Sequence, residues 1–305
     1  MYFGVPTTLS MRNHTRRLAI KNIVAGTAAV GTAGMLSSFI SSSPKPNSLK
    51  GKVNHSVCRW CFGSIPLEDF CIEVKKMGIS AIDLVGPKDW PTLQKHGIYS
   101  SMCNGAEINL VDGWNDTQFH PALIKNYTEM IPLVAKAGYK NLICFSGNRR
   151  GKDDETGWNN CTNGLKQVIG LAEKHNITLV MELLNSKVDH KDYQCDRTPW
   201  GVELAKRIGS PNFKLLYDIY HMQIDEGDVI RTIRDNHQYI AHYHTAGVPG
   251  RHEIDEKQEL YYPAIMNAIV NTGFTGYVAQ EFIPSSKDNN EKLAALQKAI
   301  QICDI

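Results

Sequence analysis

Short apolar and β-branched runs alternate with segments of helical periodicity along most of this 305-residue chain, and no other feature constrains the fold as strongly. A strand followed by a helix, repeated eight times, can close into a barrel of parallel strands. The pattern therefore predicts the α/β class and a single (β/α)8 TIM barrel over residues 55–305. The predicted strands are residues 57–62, 81–85, 100–104, 141–145, 177–184, 214–219, 240–245 and 277–282.

Helical periodicity lies between these strands, and several of the helical segments end at a glycine. Gly78, Gly138 and Gly273 occupy the position at which a left-handed residue closes a helix. An open doubly wound sheet is the alternative, but it is typically marked by a glycine-rich phosphate turn after the first strand, and the sequence has none there. The predicted helices are residues 66–77, 121–137, 160–175, 201–208, 229–236, 262–272 and 289–302.

The first 45 residues differ from the rest of the chain in charge and composition. No Asp or Glu precedes Glu68, whereas Arg16 and Arg17 stand before a mildly apolar run over residues 23–40 that ends in serines and prolines. This segment resembles a twin-arginine export signal. Residues 1–45 are therefore predicted to be a signal peptide and linker that direct the protein to the periplasm.

A transmembrane anchor is the alternative interpretation of the apolar run. An anchor needs about 20 strongly apolar residues, whereas residues 23–40 include several Gly, Thr and Ser. We therefore expect no stable membrane span after processing. Retention at the membrane through an uncleaved signal is left open, as is the choice between Met1 and Met11 as the start.

Overall charge and cysteine content exclude some functions. A formal net charge of +2 creates no field that would attract nucleic acid, so no nucleic-acid partner is expected. The eight cysteines are scattered and do not form a disulfide framework. Cys58 and Cys61 have the spacing of a redox or zinc pair, but buried thiols in the first strand are the favoured interpretation. Trp60 and Phe62 are equally compatible with a wall of the site and with core packing.

Polar side chains end four consecutive predicted strands. Glu182, Asp218, His244 and Glu281 each follow an apolar run, one strand-and-helix repeat apart. The carboxyl ends of all strands in a parallel barrel meet at one rim, so these side chains are expected to converge. Three converging carboxylates repel one another unless a cation lies between them. This oxygen-rich set with one imidazole predicts one divalent metal ion, Mn²⁺, Mg²⁺ or Co²⁺.

From about residue 57 onward the chain resembles the sugar-phosphate isomerase and epimerase-like barrel superfamily, and within it most closely the hydroxypyruvate isomerases. Glu182-Leu183-Leu184-Asn185 matches the Glu-x-x-Asn that follows the fifth strand in this superfamily. The most specific segments are YDIYHMQ at 217–223, PGRHE at 249–253 with Glu259 and Tyr262-Pro263 after it, and Gly276-Tyr277 leading into Glu281.

The resemblance implies that Glu182, Asp218, His244 and Glu281 hold the metal, and that Glu182 and Glu281 are the acid/base pair. It implies isomerisation of a small hydroxy-carbonyl compound, of the hydroxypyruvate and tartronate semialdehyde type, through an enediolate. His244 stands where hydroxypyruvate isomerases typically have Gln and ketose 3-epimerases have His. A ketose 3-epimerase is therefore the alternative activity.

His221 and Arg251 are the predicted substrate-binding residues. The alternatives are a His221 ring bonded to backbone, and a salt bridge from Arg251 to Glu253 or another acid of the rim. The expected partner is a small hydroxy-carbonyl or sugar substrate, and a homo-oligomer is left open. Repair of abasic DNA, known in the same superfamily, would need more His ligands and a basic groove. A non-catalytic exported sugar-binding protein is the alternative from another functional class.

Overall fold

Residues 49–305 are described by a computed structural model, and the predicted signal segment lies outside them. Within this range the strands form a closed parallel barrel in sequential order, with the last strand paired to the first. The barrel prediction is confirmed. Its strands are β1 (Asn54–Cys58), β2 (Ala81–Val85), β3 (Tyr99–Cys103), β4 (Asn141–Cys144), β5 (Thr178–Glu182), β6 (Phe213–Asp218), β7 (Ile240–Thr245) and β8 (Tyr277–Gln280).

Helices surround the barrel and cover its apolar outer face. Strands covered on both faces carry nearly continuous apolar runs, as in β5, where Leu179, Val180 and Met181 are all fully buried. The helices are α1 (Leu67–Lys76), α2 (Trp90–His96), α3 (His120–Lys136), α4 (Asp154–His175), α5 (Thr198–Ile208), α6 (Ile219–Asp225), α7 (Val229–Asn236), α8 (Tyr262–Asn271) and α9 (Asn289–Cys303). None of the helices within residues 49–305 is both long and apolar enough to cross a membrane.

The first strand lies earlier than predicted. β1 ends at Cys58 because its pairing with β2 and β8 covers only Asn54–Cys58, and residues Arg59–Phe62 form a 3-10 helix instead. The Arg59 guanidinium stabilises this turn by donating to the carbonyl oxygens of Phe62 and Ile65, at 2.7 and 2.8 Å. The turn carries Trp60 out of the sheet and onto the rim.

Four helical segments differ from the predictions by three residues or more, and one of them, α5, begins at Thr198 instead of at the predicted position 201. α4 begins six residues before the predicted position 160, because Asp153 caps it by accepting from the Thr156 amide over 2.8 Å, and acidic residues follow in its first turn. α2 and α6 were not predicted, since each has only seven residues. α6 starts directly at the end of β6, where the Asp218 carboxylate accepts from the amides of Tyr220 and His221.

All eight cysteines lie among the described residues, and all are free thiols. Seven are buried, and Cys61 is half-buried on the turn after β1. The Cys58 and Cys61 thiols are therefore unpaired, in agreement with the interpretation as thiols rather than as a disulfide. Phe62 is fully buried and stacks on Phe70 at 5.2 Å between ring centroids, so its role is core packing.

Candidate active site

The four predicted ligands meet at the carboxyl ends of β5 to β8. Glu182 and Asp218 are the last residues of β5 and β6, His244 lies one residue before the end of β7, and Glu281 follows β8 directly. Each of these residues is at most 4% exposed, so all four charged or polar groups are removed from bulk water. The barrel thus brings together all the residues that the sequence placed at this site.

One potential ligand atom from each of these residues lies within 4.8 Å of those of the other three. His244 Nδ1 is the centre of the cluster, 2.7 Å from Glu281 Oε2 and 3.2 Å from Glu182 Oε1. Despite these short distances, within residues 49–305 neither His244 Nδ1 nor Glu182 Oε1 has a hydrogen-bond partner. Buried polar atoms without partners are rare because they cost free energy.

These observations fit a divalent cation. Ligand atoms that face one another at hydrogen-bond distance without bonding are arranged to share a common partner. Three carboxylates and one imidazole form an oxygen-rich set, which suits a hard divalent ion. The residues present could therefore hold a metal, as the sequence predicted.

The two glutamates have different electrostatic environments. Burial raises the pKa of Glu182 above its ordinary value. Burial opposes ionisation of Glu281 as well, but His244 and Arg251 outweigh it and hold the pKa of Glu281 well below its usual range. Burial raises the pKa of Asp218 to about 8. The pKa values of the two glutamates are therefore shifted in opposite directions.

Arg251 lies against the carboxylates rather than against Glu253. Its Nη2 is 2.5 Å from Glu281 Oε2 and 3.4 Å from Asp218 Oδ2, whereas Glu253 accepts hydrogen bonds from Ser285. The sequence left this salt bridge open as an alternative to substrate binding, and the structure places its acidic partners inside the site. The side chain is 14% exposed, and among the described residues its Nε has no hydrogen-bond partner, so donor capacity remains.

Aromatic rings hold the Arg251 guanidinium and Glu281 in place. The guanidinium carbon lies 5.3 Å from the centre of the Trp60 ring and 5.5 Å from that of Tyr220. Trp60 is 46% exposed, and its Nε1 donates to Glu281 Oε1 over 2.8 Å. Trp60 is therefore a wall of the site, one of the two interpretations that the sequence allowed.

His221 is fully buried beside Asp218 and is bonded to side chains rather than to backbone. Its Nδ1 lies 2.6 Å from the side-chain amide nitrogen Nδ2 of Asn185, and its Nε2 lies 3.5 Å from Asp218 Oδ2. Burial lowers its pKa well below the ordinary value, so the ring is neutral. Within residues 49–305 the Nε2 has no hydrogen-bond partner.

Sequence reasoning missed Asp83 and His242, which lie inside the barrel next to His244. Asp83 Oδ1 is 3.2 Å from His244 Nε2, and Asp83 Oδ2 is 2.7 Å from His242 Nε2. Burial opposes ionisation, but the two imidazoles hold the pKa of Asp83 well below its usual range. Asp83 stands in the middle of the otherwise apolar run from Ala81 to Val85, and this position could have marked it in the sequence as a candidate interior residue.

Comparison with known proteins places these observations in a family context. A 2-oxo-tetronate isomerase of Cupriavidus necator is 34% identical over 113 residues, which are 37% of this chain and 43% of that protein. The human putative hydroxypyruvate isomerase is 28% identical over 120 residues, which are 39% of this chain and 43% of that protein. The alignments thus span less than half the length of these two relatives.

A crystal structure of D-psicose 3-epimerase with D-tagatose, from Clostridium cellulolyticum H10, has the same fold. The two sequences are 17% identical, and the structures superpose with a TM-score of 0.66. The match covers 83% of this chain and 100% of the epimerase chain. The model of the family described as xylose isomerase-like TIM barrel matches residues 91–302, which include all four converging side chains. The chain belongs to the xylose isomerase-like TIM barrel family.

Proposed function

We propose that this protein is a divalent-metal-dependent isomerase of a small hydroxy-carbonyl acid of the hydroxypyruvate and tartronate semialdehyde type. The observation that carries the proposal is the buried convergence of Glu182, Asp218, His244 and Glu281, with ligand atoms within 4.8 Å of one another. The relatives whose names are 2-oxo-tetronate isomerase and putative hydroxypyruvate isomerase support the same reaction type.

These four residues would hold one ion, with Mn²⁺, Mg²⁺ or Co²⁺ as the proposed candidates. When bound, a divalent cation supplies Lewis-acid polarisation of the substrate oxygens beside the acidic carbon. Nδ1 of His244 and Oε1 of Glu182 are the atoms whose hydrogen-bonding capacity is otherwise unused among the described residues.

Proton transfer is assigned to the two glutamates because their environments differ. A pair of carboxyl groups whose environments separate their pKa values can work as base and acid. Glu281 is held ionised beside Arg251, so it takes the proton from the carbon that carries the hydroxyl group. The electron pair of that C–H bond becomes the C=C bond of an enediolate, while the π pair of the carbonyl group moves to its oxygen. Glu182 then donates a proton to the former carbonyl carbon, and the proton of the original hydroxyl group passes to the other oxygen, so that a new C=O bond forms on the carbon that lost its hydrogen. The roles exchange in the reverse direction.

His221 and Arg251 are proposed to contact the substrate. His221 Nε2, which has no hydrogen-bond partner within residues 49–305, lies 3.5 Å from Asp218 Oδ2 and can exchange a proton with substrate oxygens. Arg251 has a planar fork of donors, and its Nε has no partner in the described part of the chain, which suits a carboxylate on the substrate. The rings of Trp60 and Tyr220 restrict the guanidinium to this orientation. A carboxylate-bearing substrate is therefore preferred over a neutral sugar.

A coupled screen of Mn²⁺-loaded protein tests the proposal, using hydroxypyruvate, tartronate semialdehyde and free ketoses as substrates. We expect conversion of hydroxypyruvate, with solvent deuterium placed on the carbon that receives the proton when the reaction runs in deuterated water. A product without deuterium would indicate a hydride shift and would contradict the two-glutamate mechanism. Binding of substrate without any turnover would support a non-catalytic binding protein instead.

A ketose 3-epimerase is the second candidate, and one observation favours it. His244 gives the converging set an imidazole, which is the residue type that the sequence resemblance associates with ketose 3-epimerases. The same screen separates the two activities, since an epimerase would convert free ketoses into their 3-epimers and leave hydroxypyruvate unchanged. Arg251→Lys adds to this test, because it should impair a carboxylate substrate more than a neutral ketose.

We also propose that residues 1–45 export the protein as a twin-arginine signal, which rests on the sequence alone. Twin-arginine transport moves folded proteins, so metal loading could precede export. Replacing both Arg16 and Arg17 by Lys should retain the protein inside the cell, as measured by fractionation of periplasm and cytoplasm. Unchanged export of this double variant would contradict the proposal.

A further inference from the structure

The interior carboxylate of Asp83 lies beside the candidate ligands and has no part in the proposed proton transfer. Asp83 is fully buried in β2, whose other residues are apolar. The backbone around it is irregular, since Leu84 has a φ of 54° and the pairing of β2 with β3 shifts register on both sides of Asp83. Irregular strand backbone of this kind redirects side chains next to active sites. The strand is thus bent to present this carboxylate to the interior.

Donors from three other strands converge on the two carboxylate oxygens. His244 Nε2 on β7 lies at hydrogen-bond distance from Oδ1, 3.2 Å, and Ser101 on β3 donates to Oδ2 over 2.7 Å. The Cys58 thiol on β1 donates to Oδ1 over 3.7 Å, and His242 Nε2 lies 2.7 Å from Oδ2 without a hydrogen bond among the described residues. An ionised carboxylate only accepts hydrogen bonds. The 3.2 Å distance from His244 Nε2 to this carboxylate favours the tautomer with the proton on Nε2, the nitrogen that faces Asp83.

We propose that Asp83 is a positioning residue that holds His244 with Nε2–H toward the carboxylate and the lone pair of Nδ1 toward Glu182 and Glu281. A neutral imidazole protonated at Nε2 has its lone pair on Nδ1. A carboxylate bonded to the second nitrogen of a ligating histidine fixes the tautomer and ring orientation and makes the ligand more basic. The inference rests on the proposed metal site and adds a residue from the half of the barrel that supplies no ligand.

Asp83→Asn tests the inference while preserving the size of the side chain. The amide oxygen still accepts from Nε2–H, but the amide nitrogen can also donate to an unprotonated Nε2, so the variant accommodates both tautomers. We expect the Kd for Mn²⁺ to rise by about 10- to 100-fold, the range typical when a residue that hydrogen-bonds a metal ligand is replaced. At saturating Mn²⁺, kcat should return close to that of the parent, because Asp83 does not touch the substrate.

A spectroscopic readout separates positioning from a structural role. In Zn²⁺-loaded protein with ¹⁵N-labelled histidine, the Nε2 proton of His244 should resonate far downfield, as expected for a hydrogen bond to a carboxylate. It should move upfield in Asp83→Asn. A residue that only stabilises the fold would lower the Tm without changing this signal or the Kd for the metal.

Asp304→Asn is the matched control, because Asp304 is another buried carboxylate beside a histidine. Its Oδ1 lies 3.7 Å from His55 Nε2, and it accepts from the backbone amide of Lys50. The Kd for Mn²⁺ should stay within about twofold of the parent value. An equal loss of affinity in both variants would overturn the inference, as would a folded Asp83→Asn that binds Mn²⁺ like the parent.

Two further outcomes have separate meanings: failure of the Asp83→Asn variant to fold, and failure of the parent protein to bind metal. If Asp83→Asn does not fold, Ser101→Ala removes one donor from the same carboxylate, and it should raise the Kd for Mn²⁺ several-fold. An unchanged Kd in folded Ser101→Ala would overturn the inference. Failure of the parent protein to bind any divalent ion would instead refute the proposed function itself, and the positioning role with it.

Discussion

The two halves of the barrel end their strands in different chemistry. β5 to β8 present Glu182, Asp218, His244 and Glu281 at the rim. β1 to β4 end in apolar or thiol side chains, namely Cys58, Val85, Cys103 and Cys144. Every one of these eight positions is buried, so the contrast is one of residue type rather than of solvent exposure.

This contrast shows that half of a parallel barrel is enough to assemble a polar site. All strand ends open at one rim, so four neighbouring strands bring their side chains within reach of one another. The first half contributes support instead. Trp60 after β1 donates to Glu281, and Asp83 on β2 accepts from His244. The following predictions test this division, and we expect the largest effects in the second half.

The largest effect is expected from replacing either proposed acid/base residue. Glu182→Gln and Glu281→Gln keep an oxygen for weak metal binding but remove proton transfer, so kcat should fall roughly 10²- to 10⁴-fold. Steady-state kinetics at saturating Mn²⁺ measure this loss. Glu253→Gln is the control, because Glu253 bonds to Ser285 rather than to the four-residue cluster. Near-full activity in both single variants would eliminate the two-glutamate mechanism.

The next effect concerns residues expected to act through the metal alone. Asp218→Asn and His244→Ala each remove a proposed ligand. The Kd for Mn²⁺ should therefore rise by more than roughly 100-fold, the largest effect expected when a residue that only hydrogen-bonds a ligand is replaced. Isothermal titration calorimetry measures the affinity, and activity should be partly restored by excess Mn²⁺. A low kcat that no concentration of Mn²⁺ raises would instead assign these residues to chemistry.

The third effect is on the pH dependence of metal binding. Burial raises the pKa of Asp218 to about 8, and a metal must displace that proton to bind the carboxylate. Protonation therefore competes below this pKa and ceases to compete above it. The Kd for Mn²⁺ should rise about tenfold for each unit that the pH falls below 8, if one proton is displaced. Metal titrations at pH values from about 6 to about 9, which lie on either side of this pKa, measure the dependence. A Kd for Mn²⁺ that stays constant over this range would show that no ligand is protonated.

The smallest effect is expected on the supporting side of the barrel. Trp60→Phe keeps the ring beside Arg251 but removes the donor to Glu281 Oε1. Trp60 is 46% exposed, so water can replace the lost hydrogen bond, and kcat should fall less than about tenfold. Trp158→Phe is the matched control, because its Nε1 donates to the carbonyl of Trp200 instead. A loss as large as that of Glu281→Gln would give Trp60 a direct role in proton transfer.

Strand positions show how far local pattern could predict the fold. The bounds of β2 and β7 match the prediction, and a glycine follows within two residues of the end of each strand, Gly86 after β2 and Gly247 after β7. The predicted β1 began three residues too late, because the mostly apolar segment from Val57 to Phe62 covers both the end of the strand and the turn that follows. The short helix α6 was missed because its start depends on Asp218 capping it, at the end of a strand.

The sequence alone determined the fold class and the four residues that converge. Both follow from repetition, since an alternating strand-and-helix pattern closes in only a few ways and puts equivalent strand ends at one rim. Only the tertiary structure decided that Arg251 contacts Glu281 and Asp218, and that Asp83 accepts from His244. These contacts join residues 30, 33 and 161 positions apart, and such pairs depend on the closure of the barrel and on side-chain direction, which no local pattern encodes.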